Sequence, residues 1–511
     1  MKMSSPEPAY SISTVLNELA DDPHTPRYHF ISPTQRSRCF DPNGAIYWKG
    51  RYHLFYIFQD QAYRSGPEFW QQGHCWGHAS SADLLHWEFH PTALIPEHND
   101  PEVAIYSGCA LLNKEGVPTL VYHGYGAGTC IATALDDNLN QWQKSSHNPV
   151  IVEPKQVGDD GWGVYNVFDP NVWLEGETYF AILGGQVKPQ EQGDAAYLFR
   201  SDDLLHWEYL HPFYAPNPQW TTAQDDCACP KFFSLNGNHV LLCISHATGT
   251  RYYIGDYRDH TFIPSAHHVM NWPGGCCFAP ETVLDESGRR VMFAWAIEQR
   301  RNEGEQRELG VMTLPRILSF EESGRLRIEP PVEIEGLRRN PVRLDNLDLD
   351  DGQEISLPQV AGNCLEIMLE AALPKGAMSA QLGLKVRVSP EGNEQTTILY
   401  DFVTGELRID VSRSSLSSDG WRPWPLDYWR GIPYENQLFQ SASHPLAPGE
   451  TLQLRVFLDH SILEVFANNR LCLTQRIYPS RADSLGTALF ASGAALTLPS
   501  LQAWEMKPTL F

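Results

Sequence analysis

Among the 62 acidic residues of this chain, four aspartates stand out because they sit among apolar or aromatic neighbours. Such settings can tune a carboxyl pKa by desolvation, whereas most acidic residues are solvated surface. Asp41 lies in Cys39-Phe40-Asp41-Pro42-Asn43-Gly44, and Asp169 repeats the Phe-Asp-Pro triplet 128 positions later. Asp225 and Asp226 adjoin one another in Asp225-Asp226-Cys227-Ala228-Cys229-Pro230. Carboxyl groups brought together can cleave a glycosidic bond without a metal: one attacks or activates water, the other protonates the leaving oxygen. Taken alone, Asp41 also fits a surface turn, since Asp-Pro and Asn-Gly are turn signals. Two repeats presenting Phe-Asp-Pro toward one axis would bring distant carboxylates together, which favours the chemical reading of both. Adjacent buried carboxylates repel, so one of Asp225 and Asp226 is expected to have a raised pKa, as a general acid requires. A metal held by Cys227 and Cys229 is the alternative there, but the Cys and His spacing of structural zinc is missing. His74 and His78, four apart, lack a third ligand and read as structural; no metal is expected.

These side chains need a scaffold, and the sequence describes a β-rich one. Tyr52–Phe58, Thr119–His123, Tyr179–Leu183, Val240–Ile244 and Val291–Trp295 are short, aromatic and β-prone, most closed by Gly, Asp, Asn or Pro. Sustained helical periodicity is confined to Ser11–Ala20. A repeat organises the strands: Ser81-Ala82-Asp83-Leu84-Leu85-His86-Trp87-Glu88 recurs as Ser201-Asp202-Asp203-Leu204-Leu205-His206-Trp207-Glu208, with a degenerate copy at Asn138–Trp142. Copies 55 and 65 positions apart fit propeller blades, each a turn placing a Trp where an outer strand begins. Residues 28–337 would hold about five blades at that period. Beyond Leu337 the texture changes to charged, Leu-rich turns and then alternating strands such as Leu452, Leu454, Val456 and Leu458. The expected architecture is all-β: an extension over 1–27, a five-bladed β-propeller over 28–337, and an antiparallel β-sandwich over 338–511.

Composition narrows the partners. A net charge of −24 argues against nucleic acid and anionic membranes, because phosphate neutralisation needs a basic surface. No apolar run approaches the length of a membrane span. The 15 Trp, 21 Tyr and 22 Phe suit a β-rich protein or a sugar binder, whose rings stack on apolar sugar faces. Eleven irregularly spaced cysteines, and a start without the apolar core of a signal peptide, lead us to expect free thiols in the cytoplasm. No nucleotide loop is present and no cofactor is implied.

Several blocks in order resemble glycoside hydrolase family 32, which includes invertases, exo-inulinases, levanases and fructosyltransferases. They are Tyr28-His29-Phe30, Asp41-Pro42-Asn43-Gly44, Gly50–Tyr56, Trp76-Gly77-His78-Ala79 with Asp83-Leu84, Ser107-Gly108 and Phe278-Ala279-Pro280 with Arg289-Arg290. In the second domain they are Leu458-Asp459-His460-Ser461, Glu464-Val465-Phe466 and Arg476–Ser480. The resemblance implies a retaining enzyme for β-fructofuranosidic bonds of sucrose or fructo-oligosaccharides. It implies Asp41 as nucleophile, Asp169 as transition-state stabiliser, and sugar contacts from Phe40, Asn43, Trp76, Tyr106, Ser107 and Phe168. The family's acid/base Glu directly precedes a Cys-Pro pair; here Ala228 precedes Cys229-Pro230. Asp226 is then the nearest carboxyl, with Asp225 beside it and Glu281 as a fallback. Phe40 and Phe168 replace the family's usual Asn and Arg, which removes polar sugar contacts and implies a divergent branch. Fructosyl transfer, cleavage of a related furanoside, or sugar binding without turnover are the competing readings.

Overall fold

The computed structural model describes residues 17, 19–33, 39–60, 73–299, 310–373, 377–417, 422–423 and 437–509. Of the helical stretch expected over Ser11–Ala20, Asn17, Leu19 and Ala20 are helical and the rest lies outside the described residues.

Five antiparallel sheets follow one another, each running outward in chain order. Their first strands are Cys39–Trp48, Ile105–Leu112, Asn171–Glu175, Ala228–Leu235 and Cys277–Leu284. Each first strand contacts those of the neighbouring blades, and the fifth returns to the first, closing a five-bladed propeller around an axis. Second and third strands are buried on both faces because blades stack face to face. The core is accordingly divided among interblade clusters, such as Ile57, Trp76, Leu120 and Tyr122 between blades one and two. Phe180, Leu198, Phe232 and Leu241 do the same between blades three and four.

The Asp-Leu-Leu-His-Trp repeat is the turn between a blade's third and fourth strands. Asp83 accepts the backbone N–H groups of Leu85 (3.0 Å) and His86 (2.8 Å), and faces His86 Nδ1 at 2.7 Å. Asp203 does the same for Leu205, His206 and the His206 ring. Leu84, Leu139 and Leu204 adopt positive φ (69°, 58° and 65°), and the following Trp87, Trp142 and Trp207 each donate an indole N–H to that leucine's carbonyl. The degenerate copy thus keeps the hydrogen-bonded geometry with much of its sequence gone.

A second recurrent device sits where the inner strands begin. Register breaks occur between Asn43 and Ile46, Ile105 and Gly108, Ala228 and Lys231, and Phe278 and Glu281. Asp169, Cys229 and Ala279 have positive φ of 44°, 47° and 45°. A bulge re-aims a side chain, and non-glycine residues held in this region cost about 1–3 kcal/mol each. Bulge and positive φ recur where blade after blade points a side chain at one end of the axis.

The last propeller strand is Leu326–Glu329, and a short 3-10 helix at Val332–Leu337 leads into Arg338–Leu349, the first strand of the sandwich. Two six-stranded antiparallel sheets pack over a core that includes Leu454, Val456, Leu458, Leu384 and Ile398. The domains are joined through buried charge. Glu464 pairs with Arg316 at 2.5 Å and lies 3.4 Å from His29, while Asp459 faces His29 Nδ1 at 2.9 Å and accepts the Tyr28 and His29 backbone N–H groups. The sandwich motif residues singled out in sequence therefore clamp the segment entering the first blade.

Candidate functional site

The bulged inner-strand ends converge on a small polar cluster. Asp41 Oδ2 accepts a hydrogen bond from Ser107 Oγ at 2.7 Å, and Cys229 Sγ lies 3.5 Å from the same oxygen. Cys229 also reaches Asp169 Oδ2 with its sulfur (3.4 Å) and its backbone N–H (3.0 Å). Blades one to four thus join two carboxylates through one thiol. Burial and the two carboxylates push the Cys229 thiol well up, so it stays protonated and donates. Burial raises the Asp41 carboxyl, with Ser107 and Cys229 pulling it partly back. Asp169 is pushed up to about 6, by burial first, with the Asp41 charge adding to it against the Cys229 N–H.

Around this cluster the rings form a closed series. Trp295 contacts Phe40 (5.6 Å between centroids), Phe40 contacts His74 (5.2 Å), His74 contacts Tyr106 (4.8 Å), and Tyr106 contacts His123 (6.2 Å). His123 then meets Phe168 (5.2 Å), Phe168 meets His246 (6.5 Å), His246 meets Phe278 (6.4 Å), and Phe278 returns to Trp295 (6.4 Å). Every blade contributes to this collar. Trp295 Nε1 and His123 Nδ1 are buried without a hydrogen-bond partner among the described residues. Such donors and acceptors are costly to leave unpaired, and hydroxyl groups of a ligand would satisfy them. Beside the collar opens a cavity of about 630 Å³, whose wall includes Trp162, Asn166, Phe168, Gln186, Asp226 and His246.

The expected site residues divide between this mouth and the scaffold beneath it. Phe40, Tyr106 and Phe168 lie in the collar. Trp76 does not: it is fully buried, its ring lies under Gly44, and its indole N–H donates to the Tyr106 carbonyl at 3.0 Å. A Cβ on Gly44, itself at φ +54°, would sit 3.0 Å from that ring. The expectation that Trp76 contacts sugar is therefore corrected; it packs the floor. Asn43 is likewise buried, donating to the Asp41 carbonyl (2.9 Å) and accepting the Gly108 N–H (3.0 Å), so it braces the Asp41 loop and does not face a ligand. Ser107 is buried and spent on Asp41.

The acidic pair also needs correction. Neither carboxyl is raised. Burial disfavours the Asp225 charge, but the Arg251 guanidinium at 3.0 Å and the Thr222 and Thr248 donors outweigh it and hold Asp225 at about 2. Asp225 is a buried structural anion and does not line the cavity. Asp226 does line it, yet is held below the usual carboxylate range: against burial, His246 faces it with its Nδ1 at 2.7 Å and its backbone N–H at 2.8 Å. The two carboxylates do not raise one another because each pairs with its own cation, Arg251 or His246. Glu281 lies further along its strand, 3.0 Å from Lys231, on a different cavity of about 390 Å³.

Sequence reasoning passed over His246, His123 and Trp295, and missed the bridging role of Cys229. A usable signal existed: His123 and His246 each stand at the end of an apolar second strand, in Val121-Tyr122-His123 and Ile244-Ser245-His246, where polarity is unexpected. Among the described residues, Cys364, Asp459 and His460 have potential ligand atoms within 4.8 Å of one another. Asp459 there is committed to the His29 clamp, and His460 faces the Pro23 carbonyl at 2.6 Å. No described helix is long and apolar enough to cross a membrane.

Comparison with known proteins then adds an independent line. The family model for the glycosyl hydrolases family 32 N-terminal domain matches residues 29–330, and that for the C-terminal domain matches 333–505. A sucrose-6-phosphate hydrolase of Escherichia coli is 27% identical, covering 96% of this chain and 97% of its own length. A fructan 6-exohydrolase of Beta vulgaris is 26% identical, over 95% of this chain and 87% of its own. Among solved structures, fructan 1-exohydrolase IIa from Cichorium intybus superposes with a TM-score of 0.79 at 23% identity, covering 95% of this chain and 98% of that one. Sucrose-6-phosphate hydrolase from Lactobacillus gasseri gives 0.76 at 21% identity, over 99% and 97%.

Proposed function

The chain belongs to glycosyl hydrolases family 32, and from that premise we propose that it cleaves β-fructofuranosidic bonds by double displacement, with Asp41 as nucleophile. The single observation that carries the assignment is the pairing of Asp41 with Asp169 through Cys229 at the centre of the aromatic collar. A binding site has no need of an attacking carboxylate fixed by a serine hydroxyl and a thiol. Ser107 and Cys229 orient Asp41 and stabilise its ionised form, so that Oδ can attack the anomeric carbon. Asp169, charged above about pH 6, stands where positive charge develops on the furanosyl ring and can take its hydroxyls. Retention of configuration would place attacking and proton-donating groups about 5–5.5 Å apart.

The cavity beside the collar supplies space for the leaving group. Lys188 is the lysine on its wall among the described residues, and it is paired with Glu191 at 2.6 Å. The other cationic group there among the described residues, His246, is paired with Asp226. Both cations on that wall are thus matched by carboxylates, and an uncharged leaving group such as the glucosyl end of sucrose or a fructo-oligosaccharide fits better than a phosphorylated one. Cytoplasmic residence is supported by cysteine chemistry: the described cysteines are free and nearly all buried.

Ala228, which carries no carboxyl where the family has its acid/base, supports a second reading, a sugar-binding propeller without turnover. Fructose released from sucrose, an inulin-type and a levan-type oligosaccharide separates the two. Release that disappears in Asp41→Ala supports the hydrolase; tight binding with no release by the unaltered protein supports the binder.

A further inference from the structure

With Ala228 at the position where an acid is expected, the leaving oxygen needs a proton from another side chain. Asp226 is ion-paired, Asp225 is locked on Arg251, and Glu281 faces Lys231 in a separate cavity. His246 differs from all three. It follows the second strand of blade four (Asn238–Ser245), whose Ile244, two residues earlier, pairs with Ala228. Its side chain is 46% exposed, on the wall of the large cavity and between the Phe168 and Phe278 rings of the collar. Nδ1 is fixed by Asp226 Oδ2 at 2.7 Å, while Nε2 has no hydrogen-bond partner among the described residues.

We propose that His246 is the proton donor and acceptor of this enzyme, replacing the family's missing glutamic acid, with Asp226 as its positioning residue. The inference rests on the fructosidase reading above. In the first step Asp41 Oδ bonds to the anomeric carbon. The glycosidic C–O bond breaks, its electron pair passes to the leaving oxygen, and that oxygen takes the Nε2 proton. In the second step water attacks the same carbon and gives a proton back to Nε2, and the ester to Asp41 breaks with return of the carboxylate. Charge is balanced throughout, because Asp226 stays ionised beside the ring in both states. The groups whose charge acts on the ring are Asp226, Asp169 and Asp41, which together outweigh desolvation and hold the imidazolium up to about 9. The donor is therefore loaded at neutral pH, and its loss on deprotonation gives the alkaline limb of the activity profile.

The test compares two leaving groups. Sucrose needs a proton on its leaving oxygen; β-D-fructofuranosyl fluoride does not, and azide can replace water in the second step without a base. His246→Gln is expected to lose about 10²–10⁴-fold in kcat/KM on sucrose but little on the fluoride with azide present. Asp226→Asn is expected to move the alkaline limb from about 9 toward the ordinary histidine value of about 6.5, which a merely structural role would not do. Equal losses on both substrates in His246→Gln, or unimpaired sucrose turnover, would overturn the proposal. Failure of the underlying reading looks different: the unaltered protein would then release fructose from neither substrate, or Asp41→Ala would retain activity on both.

Discussion

At the scale of single residues, the carboxylates at the axis are desolvated but not left without partners. Asp41 and Asp169 are both raised by burial, and the proposed mechanism uses both as carboxylates. Their protonation removes activity as pH falls through the raised values, so kcat/KM is expected to drop below an acid limb near 6, read directly from a pH profile. Ser107→Ala removes the donor that pulls Asp41 back toward its ordinary range. Its acid limb should therefore move to higher pH, with the largest loss of rate on the acidic side. Trp295→Phe keeps the collar ring and deletes the unpartnered indole N–H. A KM about three- to tenfold higher with kcat nearly unchanged is expected if that N–H meets a sugar hydroxyl, the worth of one neutral hydrogen bond.

At the scale of elements, two short backbone devices do most of the positioning. One is the Asp-Leu-Leu-His-Trp turn, which sets where an outer strand starts; the other is the bulge that aims inner-strand side chains at the axis. Asp83→Ala removes an acceptor for two backbone N–H groups and is expected to cost about 1 kcal/mol, measured by denaturant unfolding, with activity retained. The turn was legible in sequence because it recurs nearly unaltered at Asp203. Asp41 and Asp169 were legible for the same reason, as a repeated triplet. Trp76, Asn43, Asp225 and Asp226 were misread because sequence shows which residues are near each other in the chain, not which direction a bulged strand aims them. Asp225 and Asp226 adjoin in sequence but point to different cations, Arg251 and His246, and no local pattern announces that.

At the scale of the whole molecule, five blades each give one or two groups to a mouth that none could build alone. This explains why the site draws on residues from Phe40 to Trp295. The sandwich contributes Asp459 and Glu464, which hold the chain as it enters the first blade, and its Arg422–Pro423 pairs with Glu298–Gln299 shortly after Trp295. Arg316→Met leaves Glu464 buried without its guanidinium and should lower stability by about 3–5 kcal/mol, seen as a fall in Tm. The five-bladed architecture and the sandwich followed from period and texture, whereas the ion pairs sealing them together join residues more than 140 positions apart and left no local trace. In the proposed mechanism Asp41 becomes covalently bound to the fructosyl group. Turnover of a fructosyl substrate should be quenched in acid, and the digested protein mapped by mass spectrometry. A fructosyl ester on the peptide containing Asp41 is the expected result; an adduct on another carboxylate, or turnover that persists in Asp41→Ala, would contradict it.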